Sequence, residues 1–177
     1  MREPIIHLYA LCWNEERMLP YFFRHYDPIV SRYFIADNGS TDASVALLEQ
    51  HPAVSLEKFD VTAEGFVLSA LHFYDHAWKQ SREKADFVVV CNVDEHFDHD
   101  DPRSCWKRWK AENITVVQCA GFEMVSDSFP MSEQRLVDQI KTGIRCEIWD
   151  KPFIFDRTPL KRLGIKPGDI PADHAER

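Results

Sequence analysis

The sequence predicts an α/β fold built on a mostly parallel sheet with helices on both faces. Short β-rich apolar runs alternate with segments whose apolar residues recur at helical spacing, the signature of strands joined by crossover helices. Polar clusters close three of those runs, as expected where strands deliver side chains to one rim. Ile5 to Cys12 is the first strand, ending at Asn14-Glu15-Glu16. Met18, Leu19, Phe22, Phe23 and Tyr26 follow at helical spacing, and Pro20 must lie near that helix's start or kink it. Tyr33 to Ala36 is the second strand. It stops at Asp37-Asn38-Gly39-Ser40-Thr41-Asp42, where Asn-Gly signals a turn and Ser40 or Thr41 can cap the next helix. That helix carries Val45, Leu47 and Leu48 and ends before His51-Pro52. Val54 to Phe59 is a third strand. From Glu64 to about Lys84 the stripe Val67, Leu71, Tyr74 and Trp78 predicts one long amphipathic helix. Phe87 to Val93 is a fourth, fully apolar strand. The last third is less regular: Ile114 to Phe122 predicts a strand, with short strands at Cys146–Trp149 and Phe153–Phe155.

The chain has 177 residues, enough for a single α/β domain with a sizeable core. Hydrophobic residues make up 45% and charged residues 28%, which excludes a disordered or fibrous chain. A formal net charge of −8 argues against a nucleic-acid partner, which a basic face would attract. No apolar run is long enough for a transmembrane helix and no signal-peptide pattern opens the sequence, so a cytoplasmic location is the default expectation. The five cysteines are odd in number and have no C-x-x-C spacing, which indicates neither a disulfide framework nor a zinc ribbon. Cys12, Cys91 and Cys119, in apolar runs, read as small core residues.

The three polar clusters at strand ends are the places to look for chemistry: Asn14-Glu15-Glu16, Asp37 to Ser40, and Asn92-Val93-Asp94-Glu95. Neither a Walker loop nor a G-x-G-x-x-G fingerprint is present. A phosphate bound here must therefore be held by side chains, or by a cation placed between it and carboxylates. Asp94 directly follows buried apolar residues, where a carboxylate costs free energy unless something pairs with it. Hard oxygen ligands suit Mg²⁺ or Mn²⁺, and magnesium commonly takes only one or two protein carboxylates. Asp98 to Asp101 read instead as a solvated acidic loop. His96 or His99 could join a zinc site, but no second His or Cys stands at ligand spacing. Trp106, Trp109 and Trp149 fit packing better than sugar stacking.

The ordered elements C-W-N-E-E (Cys12 to Glu16), A-D-N-G-S-T-D (Ala36 to Asp42) and V-V-V-C-N-V-D-E-H-F (Val88 to Phe97) resemble the family 2 type of glycosyltransferases with the GT-A fold. The resemblance covers roughly the first hundred residues well and the rest loosely. It implies a nucleotide-binding half over about 1–100 and an acceptor-side half over about 101–177, which this sequence need not complete. It implies that Asp37 contacts the nucleotide base with Asn38 beside it, and that Asn14 with Glu15 or Glu16 lies near base and ribose. Asn92 and Asp94 match the D-x-D positions, Asp94 as metal ligand, Glu95 following it and His174 the late histidine available as a further ligand. Asn92 departs from the usual Asp and brings no charge.

The expected activity is transfer of a sugar from a nucleotide-diphosphate donor to a hydroxyl of a glycan, lipid or protein acceptor, with Mn²⁺ or Mg²⁺ as cofactor and inversion at the sugar. An inverting enzyme needs a general base near the acceptor, and the region after the Ile114–Phe122 strand offers Glu123 and Asp127. Two alternatives share these residues. One is a non-catalytic or truncated nucleotide-sugar binder. The other is a sugar nucleotidyltransferase, disfavoured because W-N-E-E stands where that class carries a glycine-rich basic loop.

Overall fold

Every residue of β1 (Ile6–Cys12) is buried, as a central strand with both faces covered requires. The computed structural model describes residues 2–156. β1 lies between β2 (Arg32–Asp37) and β4 (Phe87–Asn92), parallel to both, and β3 (Val54–Lys58) continues the parallel set beyond β2. β8 (Lys151–Asp156) pairs antiparallel with β4, and β5 (Val116–Cys119) antiparallel with β8, completing the order β3-β2-β1-β4-β8-β5. The α/β class and the mostly parallel sheet expected from the sequence are what the chain adopts.

Strand alternation sorts the core into two layers. Leu8, Ala10 and Cys12 of β1, Tyr33 and Ile35 of β2, and Val89 and Cys91 of β4 share one face. They pack under α1 (Leu19–Tyr26), α2 (Ser44–Gln50) and α4 (Pro102–Ala111) through Phe22, Tyr26, Leu48, Trp106 and Trp109. Tyr9, Leu11, Ala36 and Val88 face the other way, beneath α3 (Phe66–His76) and the 3-10 turn Ala77–Ser81 that extends it. Helices thus cover both faces. Trp106 and Trp109 are core residues, and all five cysteines are free thiols, with Cys12, Cys91 and Cys105 buried.

Several elements differ from expectation. The long helix over 64–84 is shorter, and its tail winds as 3-10. Its buried face uses Ser69, Ala70, Phe73 and Trp78, while Val67 and Leu71 stay half-buried. Ser69 and Ala70 are the buried positions of α3, while of the predicted stripe Trp78 is buried and Tyr74 packs against the Leu11–Ala36 cluster. Pro20 does sit in the first turn of α1. Ser40 and Thr41 do not cap α2; Asp42 Oδ1 instead accepts the Ser44 N–H at 2.9 Å.

The run Ile114–Phe122 divides in two. After β5 the chain leaves the main sheet, and β6 (Phe122–Val125) pairs antiparallel with β7 (Thr142–Arg145) as a separate ribbon. Gly121 explains the break: a Cβ there would collide with Trp149 and come within 2.9 Å of the Cys146 carbonyl oxygen. Its N–H donates to Asp150 Oδ1 at 2.7 Å and its carbonyl accepts from the Cys146 N–H at 3.0 Å. Cys146–Trp149, expected as a strand, contains the 3-10 turn Glu147–Trp149, because these bonds close the chain back on Gly121. Between the ribbon strands lies α5 (Leu136–Gln139).

Candidate nucleotide and metal site

The three polar clusters leave adjacent strands at the same edge, because β2, β1 and β4 are neighbours and parallel. Cys12 is paired with Asp37, and Leu11 with Asn92. From β1 the chain first builds outward to β2 and β3, then crosses to β4 on the other side. The crevice between the carboxyl ends of β1 and β4 is therefore a topological switch point, where open α/β sheets bind ligands. Glu15 follows one of these strands and Asp94 the other.

The first two loops are laced together. Asn14 has φ 55, a left-handed conformation that Asn tolerates better than most residues. Its Oδ1 accepts the Thr41 N–H at 2.8 Å, and its own N–H donates to Ser40 Oγ at 2.9 Å. The Glu15 N–H donates to Ser44 Oγ at 2.7 Å. The Glu16 N–H donates to Asp42 Oδ2 at 3.0 Å, and Glu16 Oε2 accepts the Ala43 N–H at 2.9 Å. Asp37 is 8% exposed. Its carboxylate accepts the Gly39 and Ser40 N–H groups, each at 3.0 Å, and the Ser40 hydroxyl at 2.5 Å. Gly39, at φ 74, makes that turn. Asp37, Asn14 and Glu16 thus shape the rim. Asn38 stays half-buried beside it, its N–H on the Cys12 carbonyl at 2.8 Å.

The carboxylate of Glu15 has no hydrogen bond or ion pair among the described residues. Burial, then the charges of Asp94 and Asp42, push it up to about 7. Asp94 is open to solvent on one side and flanked by protein on the other. Desolvation, with Glu95 adding, raises its carboxyl above the usual range. Glu95 is held: Lys151 Nζ donates to Oε1 at 2.5 Å and the Asn92 N–H to Oε2 at 2.7 Å. Asn92 Oδ1 accepts the Tyr74 hydroxyl. Behind the strand end His96 stacks on His25 with ring centroids 4.8 Å apart, and burial lowers its pKa to about 3. His96 is therefore a neutral packing residue. Among the described residues no three His, Cys, Asp or Glu side chains gather as a metal cluster.

The structure thus brings Asn14, Glu15, Glu16, Asp37, Asn38, Asn92, Asp94 and Glu95 to one edge. His174 lies outside the described residues. Glu123 and Asp127 are both exposed and lie off the main sheet. Glu123 Oε1 accepts the Trp149 indole N–H at 3.1 Å. Asp127 belongs to the segment that docks on α1: Arg17 lies 4.0 Å from the Phe129 ring centroid, and the Tyr21 hydroxyl donates to the Pro130 carbonyl at 2.7 Å. Sequence reasoning missed Tyr74 as a rim residue and weighed Lys151 as a phosphate contact without assigning it to the site. Tyr74 looked like one more apolar stripe position. Lys151 reaches the rim only because β8 pairs next to β4, a long-range event with no local signal.

No protein-family model and no curated protein matches the chain. Among solved structures, it is similar to glucosyl-3-phosphoglycerate synthase from Mycobacterium tuberculosis in complex with uridine-diphosphate. The identity is 18% and the TM-score 0.35, over 54% of this chain and 36% of that one. The chain thus spans little more than a third of that protein's length. It is also similar to 4-diphosphocytidyl-2C-methyl-D-erythritol synthase, at 14% identity and TM-score 0.40, over 89% of this chain and 76% of that one. These likenesses are too distant to carry an assignment of reaction.

Proposed function

We propose that the protein is a glycosyltransferase that moves a sugar from a nucleotide-diphosphate donor to an acceptor hydroxyl, with Mn²⁺ or Mg²⁺ held at Asp94. The observation that carries this reading is the pair Glu15 and Asp94 at the switch point: neither carboxylate forms an ion pair among the described residues, burial raises both, and the charge of Asp94 opposes that of Glu15. A divalent cation turns that repulsion into attraction. The residues fit such an ion: magnesium commonly takes one or two protein carboxylates and fills its remaining positions with phosphate oxygens and water. Asp94 is the ligand, and Glu15, whose carboxyl already responds to the Asp94 charge, shares the ion's field.

When bound, the cation would act as a Lewis acid that stabilises charge on the leaving diphosphate. The chain's own residues do the rest. Glu95 positions the strand end by holding the Asn92 N–H and Lys151, and Lys151 brings a positive charge beside the diphosphate position. The laced loops of Asn14, Glu16, Asp37 and Asn38 form a preorganised edge for base and ribose. The acceptor hydroxyl must lose its proton as it attacks, and Asp127 is our choice of base over Glu123. Its segment docks on the helix that begins just after the Asn14–Glu16 loop, whereas Glu123 is bonded to Trp149.

A nucleotide-sugar binder without turnover is the second reading. Asn92 favours it, being a neutral amide whose oxygen already accepts from Tyr74. Thermal unfolding with UDP, GDP and CDP, each with and without Mn²⁺, tests both. A ligand that binds only the folded state adds about 2.7 kcal/mol of stability at a hundredfold excess over its dissociation constant. One nucleotide should raise the midpoint only with metal, and not in Asp94→Ala. Stabilisation without donor hydrolysis or transfer selects the binder. No nucleotide effect overturns both readings.

A further inference from the structure

A cavity of about 550 Å³ opens away from the rim, over the amino-terminal halves of β1 and β2. It exists because the helical cover on that face is incomplete: α3 and its 3-10 extension pack on β1 and β4 through Phe73 and Trp78, leaving β2 and β3 partly bare. Strand pairing sets Phe34 beside Ser55, and both share the open face with Glu57, Arg32 and His7. Lys84, just past the 3-10 turn, supplies the facing wall.

The cavity gathers positive charge in a protein whose formal net charge is −8. Arg32 and Lys84 face one acidic group, Glu57. Arg32 is oriented rather than loose: its Nε and Nη2 donate to Ser55 Oγ at 3.2 and 2.8 Å, and its guanidinium lies 5.6 Å from the Phe34 ring centroid. His7 is only 7% exposed. Its Nδ1 is 2.6 Å from Ser81 Oγ, which is also 2.6 Å from the buried Tyr9 hydroxyl. That network fixes the ring and leaves Nε2 without a partner among the described residues.

We propose that this cavity is a second ligand site, which binds a small molecule bearing an oxyanion through Arg32, Lys84 and His7, with Phe34 as the surface for its planar or apolar part. The inference rests on no part of the rim assignment. Burial and the charges of Arg32 and Lys84 now hold His7 below its ordinary pKa. An oxyanion offsets the two cations and accepts a hydrogen bond from protonated Nε2, so binding takes up a proton and strengthens toward acid pH. Glu57 opposes the ligand, and Tyr9 stays neutral, its pKa pushed up to about 12.

The test follows the His7 ring resonances by NMR while inorganic phosphate, benzoate or sodium chloride at matched ionic strength is added. Phosphate or benzoate should shift those resonances saturably and raise the His7 midpoint, whereas chloride should not. Saturation by phosphate alone identifies a phosphorylated ligand, and saturation by benzoate alone an aromatic carboxylate. The double variant Arg32→Gln, Lys84→Gln changes exposed residues and should weaken binding about tenfold or more, with the circular dichroism spectrum unchanged. Equal shifts with chloride, no saturable shift with either probe, or unweakened binding in the double variant would overturn the proposal.

Discussion

β1 and β7 are both short strands in one chain, but all seven residues of β1 are buried and all four of β7 are exposed. The contrast extends to their surroundings. Parallel strands β1 and β4 lie between two helical layers, and the loops at the carboxyl ends of β1 and β2 are cross-bonded. The β6–β7 ribbon presents Phe122, Met124, Val125 and Ile144 to solvent, joined by nearby Ile148 and Trp149. The rim that would hold a nucleotide diphosphate is thus anchored to deeply buried strands, while the residues offered as acceptor-side bases sit on a segment with little buried apolar surface. Low burial means low local stability, so the two regions should respond differently to the same insult.

The largest expected effect breaks the comparison at its strongest point. Leu8→Ala removes a fully buried side chain from β1 and should cost about 2–5 kcal/mol in urea unfolding. Next comes Asp86, which ties the start of the sheet to α4. Its carboxylate accepts Lys110 Nζ at 2.6 Å, the Ile5 N–H at 2.9 Å and Arg2 at 3.2 Å. Burial alone would raise its pKa, but Lys110, Ile5 and Arg2 together hold it below the usual carboxylate range. Its contribution is therefore complete above the unfolded pKa of about 4 and lost as pH falls through the lower folded value. Asp86→Ala should cost about 2 kcal/mol at neutral pH and remove that part of the acid sensitivity.

Glu15 should act with the opposite sign. Its folded pKa lies near 7 and its reference value is 4.5, so stability is full below about 4.5 and lost as pH rises through 7. Glu15→Gln should stabilise the metal-free protein at pH 8 by about 2 kcal/mol and flatten its profile between those limits. An unchanged profile would mean that burial and the Asp94 charge do not raise the Glu15 carboxyl. The smallest effect sharpens the contrast: Ile144→Ala on the ribbon should change stability by no more than about 0.5 kcal/mol by the same urea measurement. A larger loss would show that the ribbon's exposed face is covered in solution.

Where burial is dense, sequence pattern sufficed. The four parallel strands, the Pro20 helix start and the rim clusters were legible because apolar runs end abruptly in polar residues there. Inside the long 64–84 segment the pattern found Tyr74 and Trp78 but missed Ser69 and Ala70, small buried positions that a hydrophobic stripe does not register. The break at Gly121 depends on Trp149, and the Glu95 ion pair on Lys151. Both are contacts between residues far apart in the chain, which no local periodicity encodes. The site was legible as a set of residue types, but the division of labour within it was not. The fold separates Glu16, which binds the neighbouring loop, from Glu15, whose carboxylate has no hydrogen-bond partner among the described residues and feels the charge of Asp94.

Manganese affinity in the presence of UDP, read from the electron paramagnetic resonance signal of free Mn²⁺, is the most direct measure of what Asp94 does. Tight binding to the native chain that falls about a hundredfold in Asp94→Asn, or about 2.7 kcal/mol, is the predicted result. Equal affinity in the two proteins would contradict it, because the ion would then be held somewhere other than the end of β4.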